Sequence, residues 1–440
     1  MQSLWKEGVQ MPRIKRLEKD LNTDVLIIGG GIAGLLCAHV LQEAGVDYVL
    51  LEAERIAGGV TSGTTAKITA QHGLCYQKIA SRFGKEGARL YYEINRSALN
   101  AYQSVCDGID CDFRISNSYV YSQTGRKRLE TEQRLLADFG VQTEITDQIE
   151  PPIRINGALK LADQAQFHPL KFLSAIAKGL CIYEDSRVTE MIGTDALTEH
   201  ARVRAKRVVV TTHFPFLNKH GSYFLKLYQS RSYVLAIDTD RDWSGNYIDE
   251  NDKGLSFRTA ENCLLIGCGS HRTGKESEGW SDALRFATRN FPNSKERFRW
   301  ATQDCMTLDG LPYVGRYSAQ TEELYVASGF GKWGMTGAMA ASMILCEMLT
   351  TGKETPASRL LSPTRSILRP QLAINAMESI GNWILPRKPR CPHLGCALRW
   401  NPCERSWDCP CHGSRFSRHG KLLDGPATGN LESLQDQEKK

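Results

Sequence analysis

The feature that most restricts the fold of this chain is Gly29-Gly-Gly31-Ile-Ala-Gly34. This GxGxxG run sits between the apolar stretch Asp24–Ile28 and the helix-patterned stretch Ile32–Ala44. A strand that turns through these glycines into a helix opens a dinucleotide-binding βαβ unit. Gly29 permits the tight turn, Gly31 lets the backbone approach a pyrophosphate, and Gly34 allows close packing of helix on strand. The diphosphate then lies at a helix N-terminus, where free N–H groups and the helix dipole favour negative charge. A second apolar run, Tyr48–Glu52, closes the unit and sets Glu52 eighteen residues beyond Gly34, in place for a ribose hydroxyl.

Beyond this unit the periodicity is mixed. Gln77–Gly140 is mostly polar-helical, and Gln164–Lys178 reads as a helix entered through His168-Pro169. Arg207–Thr212 is a β-branched strand, and alternation at Tyr233–Thr239 and Cys263–Gly267 predicts an antiparallel sheet. Leu324–Ala327 is a strand leading into the glycine-rich loop Gly329–Gly337 and a helix through Leu349. Residues Thr355–Arg390 are linker-like, with a short helix over Leu372–Leu385. No second dinucleotide fingerprint follows, because Gly267-Cys-Gly269 continues as Ser-His-Arg-Thr-Gly.

The other strong signal is near the C-terminus: Cys391-Pro-His393-Leu-Gly-Cys396, then Cys409-Pro-Cys411-His412-Gly-Ser414. Each box offers one thiolate and one imidazole. A Rieske-type [2Fe–2S] cluster requires that set, two cysteines on one iron and two histidines on the other. The ligands by spacing are Cys391, His393, Cys409 and His412. Alternatives are a Cys₂His₂ zinc site, whose usual C-x₂₋₄-C and H-x₃₋₅-H spacing is not seen here, and a metal-free remnant. Five of the fourteen cysteines fall in the last fifty residues, a metal-like rather than a disulfide-scaffold distribution.

The run from Glu52 through Gly58-Gly59-Val-Thr61-Ser-Gly63-Thr64-Thr65-Ala-Lys67 resembles the flavin-binding segment of the D-amino-acid-oxidase/glycine-oxidase-like flavoproteins. So do Asp309-Gly-Leu-Pro-Tyr-Val-Gly315 and the Gly329–Gly337 loop, the last also readable as a plain glycine-rich turn. With both halves in view, the chain resembles FAD-dependent oxidoreductases that carry a C-terminal Rieske domain. The resemblance implies an α/β FAD-binding domain (Rossmann-like, glutathione-reductase-type) with an inserted antiparallel-sheet substrate domain and a small all-β cluster domain. FAD-binding segments are expected at about 20–76, 150–215 and 300–350, the substrate domain at about 77–149 and 216–299, a linker at 351–385 and the cluster domain at 386–432. FAD contacts carried over are Gly29, Gly31, Gly34, Glu52, Thr61, Thr64, Thr65, Lys67, Gly329, Gly334, Met335 and Thr336. Cys396 and Cys411 match the pair that forms a disulfide between the ligand loops of respiratory-type Rieske proteins. Ser414 matches a hydroxyl that donates to a bridging sulfide, Phe416 stands where high-potential relatives have a tyrosine, and Gly425-Pro426-Ala427 resembles the proline loop. One departure stands out. Only about forty residues separate Leu349 from Cys391 and few are strand-like, so part of the β-sandwich that supports the ligand loops is expected to be missing.

Catalytic residues are not legible. Arg231 and Arg272 are candidate forks for a substrate carboxylate, with structural ion pairing as the plainer reading. Cys305 is a candidate flavin tether or, more simply, a buried thiol. Between Ile384 and Lys421 eight lysines and arginines face only Glu404 and Asp408, an excess equal to the +6 of the whole chain. This is either a docking patch for an acidic electron-acceptor protein or a solvated basic face. Nucleic-acid binding is not expected. With no apolar h-region at the start and no adequate membrane span, a cytoplasmic protein is expected. The expected activity is oxidation of a small amine or amino-acid-type substrate, with electrons passed through the cluster to an external acceptor. Alternatives are an O₂-using oxidase with a vestigial cluster segment, or a redox-sensing flavoprotein without turnover.

Overall fold

The computed structural model describes residues 2–217, 219–386 and 389–431; Arg387, Lys388 and the end of the expected cluster domain lie outside the described residues. The run Val25-Leu-Ile-Ile is apolar at every position because it is buried on both faces, as a central parallel strand must be. It forms the strand Leu21–Ile28, flanked in parallel by Arg202–Val210 and Tyr48–Leu51. Thr321–Ser328 and Ile182–Tyr183 extend the sheet on either side, and Tyr313–Ser318 adds an antiparallel edge. The helices Ile32–Glu43 and Gly334–Thr351 pack against each other, with Leu35, Leu36, Ala338 and Ala341 buried in one core. Gly34 is required at their base. A Cβ there would lie 1.9 Å from the carbonyl oxygen of Gly29, so any side chain would push the helix off the turn.

The second sheet runs Glu296–Thr307, Leu227–Asp238, Cys263–Arg272, Ser256–Ala260, Gly245–Asp249, Arg114–Ser122, Gly157–Gln166 and Lys67–Ile68. Neighbours are antiparallel except for the parallel join of Gly245–Asp249 to Arg114–Ser122. Two expectations are corrected here. Gln164–Lys178 is not one helix: Gln164 and Gln166 end the strand Gly157–Gln166, and the helix is Pro169–Ile176, capped by the His168 side chain, which accepts from Lys171 N. The polar-helical stretch Gln77–Gly140 divides into helices Tyr76–Cys106 and Lys127–Asp138 around the strand Arg114–Ser122, rich in β-formers such as Ile115, Tyr119, Val120 and Tyr121. The boundaries drawn at 150 and 300 also shift. Gly157–Gln166 pairs with Arg114–Ser122 and therefore belongs to the second sheet, while Glu296–Thr307 is a single strand crossing the boundary at 300.

Residues 351–385 are more than a linker. They hold helices Pro356–Leu360 and Pro370–Ile384, and between them Arg365 forms a buried ion pair with Asp309 (2.7 Å). The C-terminal module is a four-stranded antiparallel sheet: Arg399–Asn401, Ser406–Asp408, Arg415–Ser417 and Leu422–Asp424. Its own apolar core is small, made of Leu398, Phe416, Ala427 and Leu431 around four cysteines. A unit of about forty residues cannot bury enough surface to stand alone without a metal or a scaffold.

Candidate functional site

A cavity of about 1080 Å³ runs from the GxGxxG turn to the C-terminal module. That is at the top of the usual ~300–1,000 Å³ for ligand pockets, as an extended dinucleotide plus a small substrate demands. At one end lie Gly29, Gly31 and Glu52. The N-cap of the helix Ile32–Glu43 is Gly31, which has no side chain to cap it, and Gly31, Ile32 and Ala33 line the cavity, where a helix N-terminus favours an anion. Glu52 is held by Gly30 N (2.6 Å) and Glu54 N (2.9 Å), and Thr61 Oγ1 accepts from Ile32 N (3.1 Å).

The Thr64–Lys67 segment is clamped from behind. Trp5 Nε1 donates to Thr64 O (2.6 Å), and the buried Arg258 donates to Thr65 O and Ala66 O (both 2.6 Å). Lys67 lines the cavity, and burial, then Arg258 and Lys332, brings its pKa down to about 7. Gly329, Gly334 and Met335 form the opposite wall. Thr336 does not: its hydroxyl is exchanged with the backbone of Thr69 (3.0 Å each way), so it ties two walls together from outside the cavity. Gly34 likewise serves packing. Cys305 is buried on the wall, its thiol pushed up to about 12 mainly by burial.

The two Cys/His boxes lie against each other. Cys391 and Cys409 share a hydrogen bond, and the rings of His393 and His412 meet edge to face with centroids 5.0 Å apart. His412 Nε2 lies 2.9 Å from Phe224 O; a carbonyl only accepts, so Nε2 carries the proton and Nδ1 is a bare lone pair. That Nδ1 is buried and has no hydrogen-bond partner. Burial, then His393, holds the His412 pKa at about 3, keeping the ring neutral. A buried neutral imidazole with its acceptor nitrogen unspent beside thiols is a metal ligand in waiting, and the donor set fits a mixed Cys/His cluster. Ser414 Oγ accepts from Ala427 N (2.9 Å) and is hydrogen-bonded to Cys391, as a sulfur-directed hydroxyl needs to be. Cys396 and Cys411 are both free thiols, and their sulfurs lie with that of Cys409 within 4.8 Å of one another.

The support expected to be missing is supplied from outside the module. Arg272 donates to Pro410 O (2.9 Å), Cys411 O (3.1 Å) and Asn375 Oδ1 (2.8 Å). Gln303 Nε2 donates to Gly413 O (2.9 Å). Gly413, at φ +83°, lies so close to Gln229 that a Cβ would come within 2.2 Å of it. Arg231 makes a two-pronged ion pair with Glu404 (2.7 Å through Nε), and Glu404 also holds Arg415 (2.8 Å), which bonds Asp408 (3.0 Å) and Asp424 (2.9 Å). Of the two readings given for Arg231 and Arg272, the structure shows the plainer, structural one: both are engaged by the module. Buried Arg231 ties Glu404, in the turn between the first two strands of the module, to the larger sheet, and half-buried Arg272 ties down the carbonyls of the second ligand loop; Arg231 touches the cavity wall and Arg272 does not. The module's own contribution to the cavity is the segment Leu423–Thr428, facing Thr211–Phe216. Sequence reasoning missed Gln229, Gln303, Arg258 and Glu404. Only the uncompensated glycine at 413 hinted at a close approach.

The fold and the paired sites define an FAD-dependent oxidoreductase that also carries a Rieske [2Fe–2S] domain, and the chain belongs to the DAO family of FAD dependent oxidoreductases, whose family description matches residues 24–348. The Rieske [2Fe-2S] domain description matches residues 370–435. In detail, the chain is 30% identical to a protein named for a Rieske 2Fe-2S centre, YhfW of Bacillus subtilis, over 98% of this chain and 97% of that one. It is 26% identical to gamma-glutamylputrescine oxidoreductase of Escherichia coli, over 76% of this chain and 85% of that one. Among solved structures, glycine oxidase from Geobacillus kaustophilus superposes with a TM-score of 0.68 at 19% identity, covering 79% of this chain and all of that one.

Proposed function

We propose that the protein oxidises a small amine or amino-acid-type substrate at FAD and passes the electrons through the [2Fe–2S] cluster to an external acceptor. Bound FAD supplies two-electron C–H oxidation, and the bound cluster supplies single-electron exchange. The chain's own residues do the positioning. Gly29–Gly31 and Glu52 hold the dinucleotide's diphosphate and ribose, and Arg258 and Trp5 fix the backbone around Lys67. Lys332, paired with Asp304 (3.3 Å), lines the cavity together with Lys67, whose pKa of about 7 lets it sit neutral or charged, and these groups suit a small ionised substrate. His393 and His412 face Phe214, and Phe214 lines the cavity.

The observation that carries the relay is this shared wall. The module's Leu423–Thr428 segment closes the same cavity that the GxGxxG turn opens, so no separate docking event stands between the two centres. The relatives' names support the substrate class, since gamma-glutamylputrescine and glycine are an amine and an amino acid. We further propose, from the resemblance of the two boxes to respiratory-type Rieske loops, that Cys396 and Cys411, free thiols in this structure, pair as a disulfide under oxidising conditions.

The test is anaerobic. A panel of amines and amino acids is screened for bleaching of the flavin absorbance, and the best substrate is then followed by EPR for a Rieske-type signal. Iron and acid-labile sulfide are measured on the same sample. Two irons per chain and a substrate-dependent signal are expected. Bleaching without a signal, together with stoichiometric hydrogen peroxide in air, would replace the relay with an oxidase.

A further inference from the structure

The helix Pro370–Ile384 is built inside out. Its polar side chains face the protein: Asn375 and Asn382 are both 3% exposed, Asn375 bonding Arg272 and Leu225 O, Asn382 lying against Arg399, and Glu378 pairing with Lys275 (2.5 Å). Its apolar side chains face outward. Ile374, Met377, Ile380, Trp383 and Ile384 are 44–68% exposed, on positions that recur at helical spacing. The strip continues onto the first ligand loop, where Gly395 packs against the Trp383 ring and Leu394 is 43% exposed. A contiguous apolar strip of this kind marks an interaction surface.

Two observations name the occupant. The first is charge. The carboxylates of the described residues 389–431 (Glu404, Asp408 and Asp424) are all engaged by Arg415, two of them also by Arg231, which leaves the outward charge of the module cationic. Of those cations, Arg390 donates to Trp383 O (3.0 Å) and Leu385 O (2.7 Å) at the end of the strip. Arg399 bonds Asn382 on the inner face of the same helix. The second is size. A 15-residue helix is about 22 Å long and about 10 Å wide, and its footprint falls well short of the ~800 Å² per partner of a stable protein interface. A single convex helix with a tryptophan, branched aliphatics and arginines at its rim suits a surface that needs no shape complementarity. We infer that this strip lies on an anionic lipid bilayer, with the helix in the plane of the interface and the Cys391–Cys396 loop brought to the membrane surface. No helix among the described residues is long and apolar enough to span a bilayer, so the attachment is peripheral.

The experiment is co-sedimentation of the intact holoprotein with vesicles of phosphatidylcholine alone and of an equimolar mixture with phosphatidylglycerol, at low and high salt. The protein is expected to pellet with the anionic vesicles, less so at high salt, and to stay in the supernatant with the neutral ones. Ile380→Glu/Trp383→Glu should weaken binding about tenfold or more. Both positions are exposed, so flavin and cluster absorbance serve as the check that this variant folds, and Trp383→Phe gives a milder second variant that should bind at an intermediate level. Failure to pellet with anionic vesicles overturns the inference. So does undiminished binding by the double Glu variant, which would place the contact elsewhere. A concentration-dependent dimer abolished by the same variant, without vesicle binding, would assign the strip to a second copy instead. None of these readouts depends on substrate turnover, so this test stands or falls apart from the proposed relay.

Discussion

Replacing Arg231 by leucine should release the iron–sulfur module while leaving FAD in place. Arg231 is 5% exposed, and its guanidinium faces Glu404, whose side chain is 8% exposed. Removing one partner of a buried ion pair costs about 3–5 kcal/mol, since the remaining charge stays buried. Glu404 keeps Arg415, so the lower end, about 3 kcal/mol, is the better figure; it corresponds to roughly two orders of magnitude in the docking equilibrium. That loss falls on a module whose own core is Leu398, Phe416, Ala427 and Leu431, with little stability of its own to offset it. The assay is iron, acid-labile sulfide and FAD per chain after gel filtration, with hydrogen exchange over residues 389–431. Expected are FAD near one per chain, iron well below two, and faster exchange confined to the module. The double variant Arg231→Leu/Glu404→Leu should recover much of the loss, because no charge is then left unpaired. If Arg231→Leu keeps full iron and protection, or sheds FAD and iron together, the docking argument is wrong.

Further outcomes follow from the same geometry. Gly413→Ala should lower iron content several-fold with FAD unchanged, because its Cβ would overlap Gln229 in a left-handed backbone; metal analysis reads this directly. Gly34→Ala should instead abolish FAD binding, measured by flavin absorbance of the purified protein, since its Cβ meets the Gly29 carbonyl. Lys67 has a folded pKa lowered to about 7 against 10.5 for the free side chain. Between these values the unfolded chain binds the extra proton, so stability should rise with pH from about 7 to about 10.5, and the cost is fully present below 7. Lys67→Met should flatten that rise in denaturation midpoints; an unchanged slope would show that the lysine is not buried as described. Chelation of the iron should loosen residues 389–431 by hydrogen exchange and leave the parallel sheet protected, because His412 Nδ1 would then be buried without a partner in a module whose own apolar core is small.

Local signals made the two cofactor sites legible. The glycines at 29, 31 and 34 act on their immediate neighbours, and the Cys391–His393 and Cys409–His412 boxes each span a few residues. What holds the boxes together was not legible. Gln229, Arg231, Arg272 and Gln303 lie more than a hundred residues from the parts of the module they hold, and nothing in their local pattern separates them from other polar strand residues. The ligand loops were expected to lack support, but nothing in the sequence signals that the larger sheet supplies it. Gln164–Lys178 misled because Gln and Ala favour helices, whereas pairing with Arg114–Ser122 decided the outcome. The short helix expected within Thr355–Arg390 was legible from its spacing, but the direction of its apolar face was not. Only the tertiary partners of Asn375 and Asn382 fix which side turns outward.

The dependence of the C-terminal module on Gln229, Arg231, Arg272 and Gln303 also orders events in time. A chain leaving the ribosome N-terminus first completes the strands Leu227–Asp238, Cys263–Arg272 and Glu296–Thr307 before the last two cysteines emerge. The module therefore meets a finished template, and iron delivered early would find no loop shaped to receive it. For the same reason the C-terminal segment cannot be exchanged as a cassette: grafted onto another flavoprotein, it would carry its ligands but leave its mould behind.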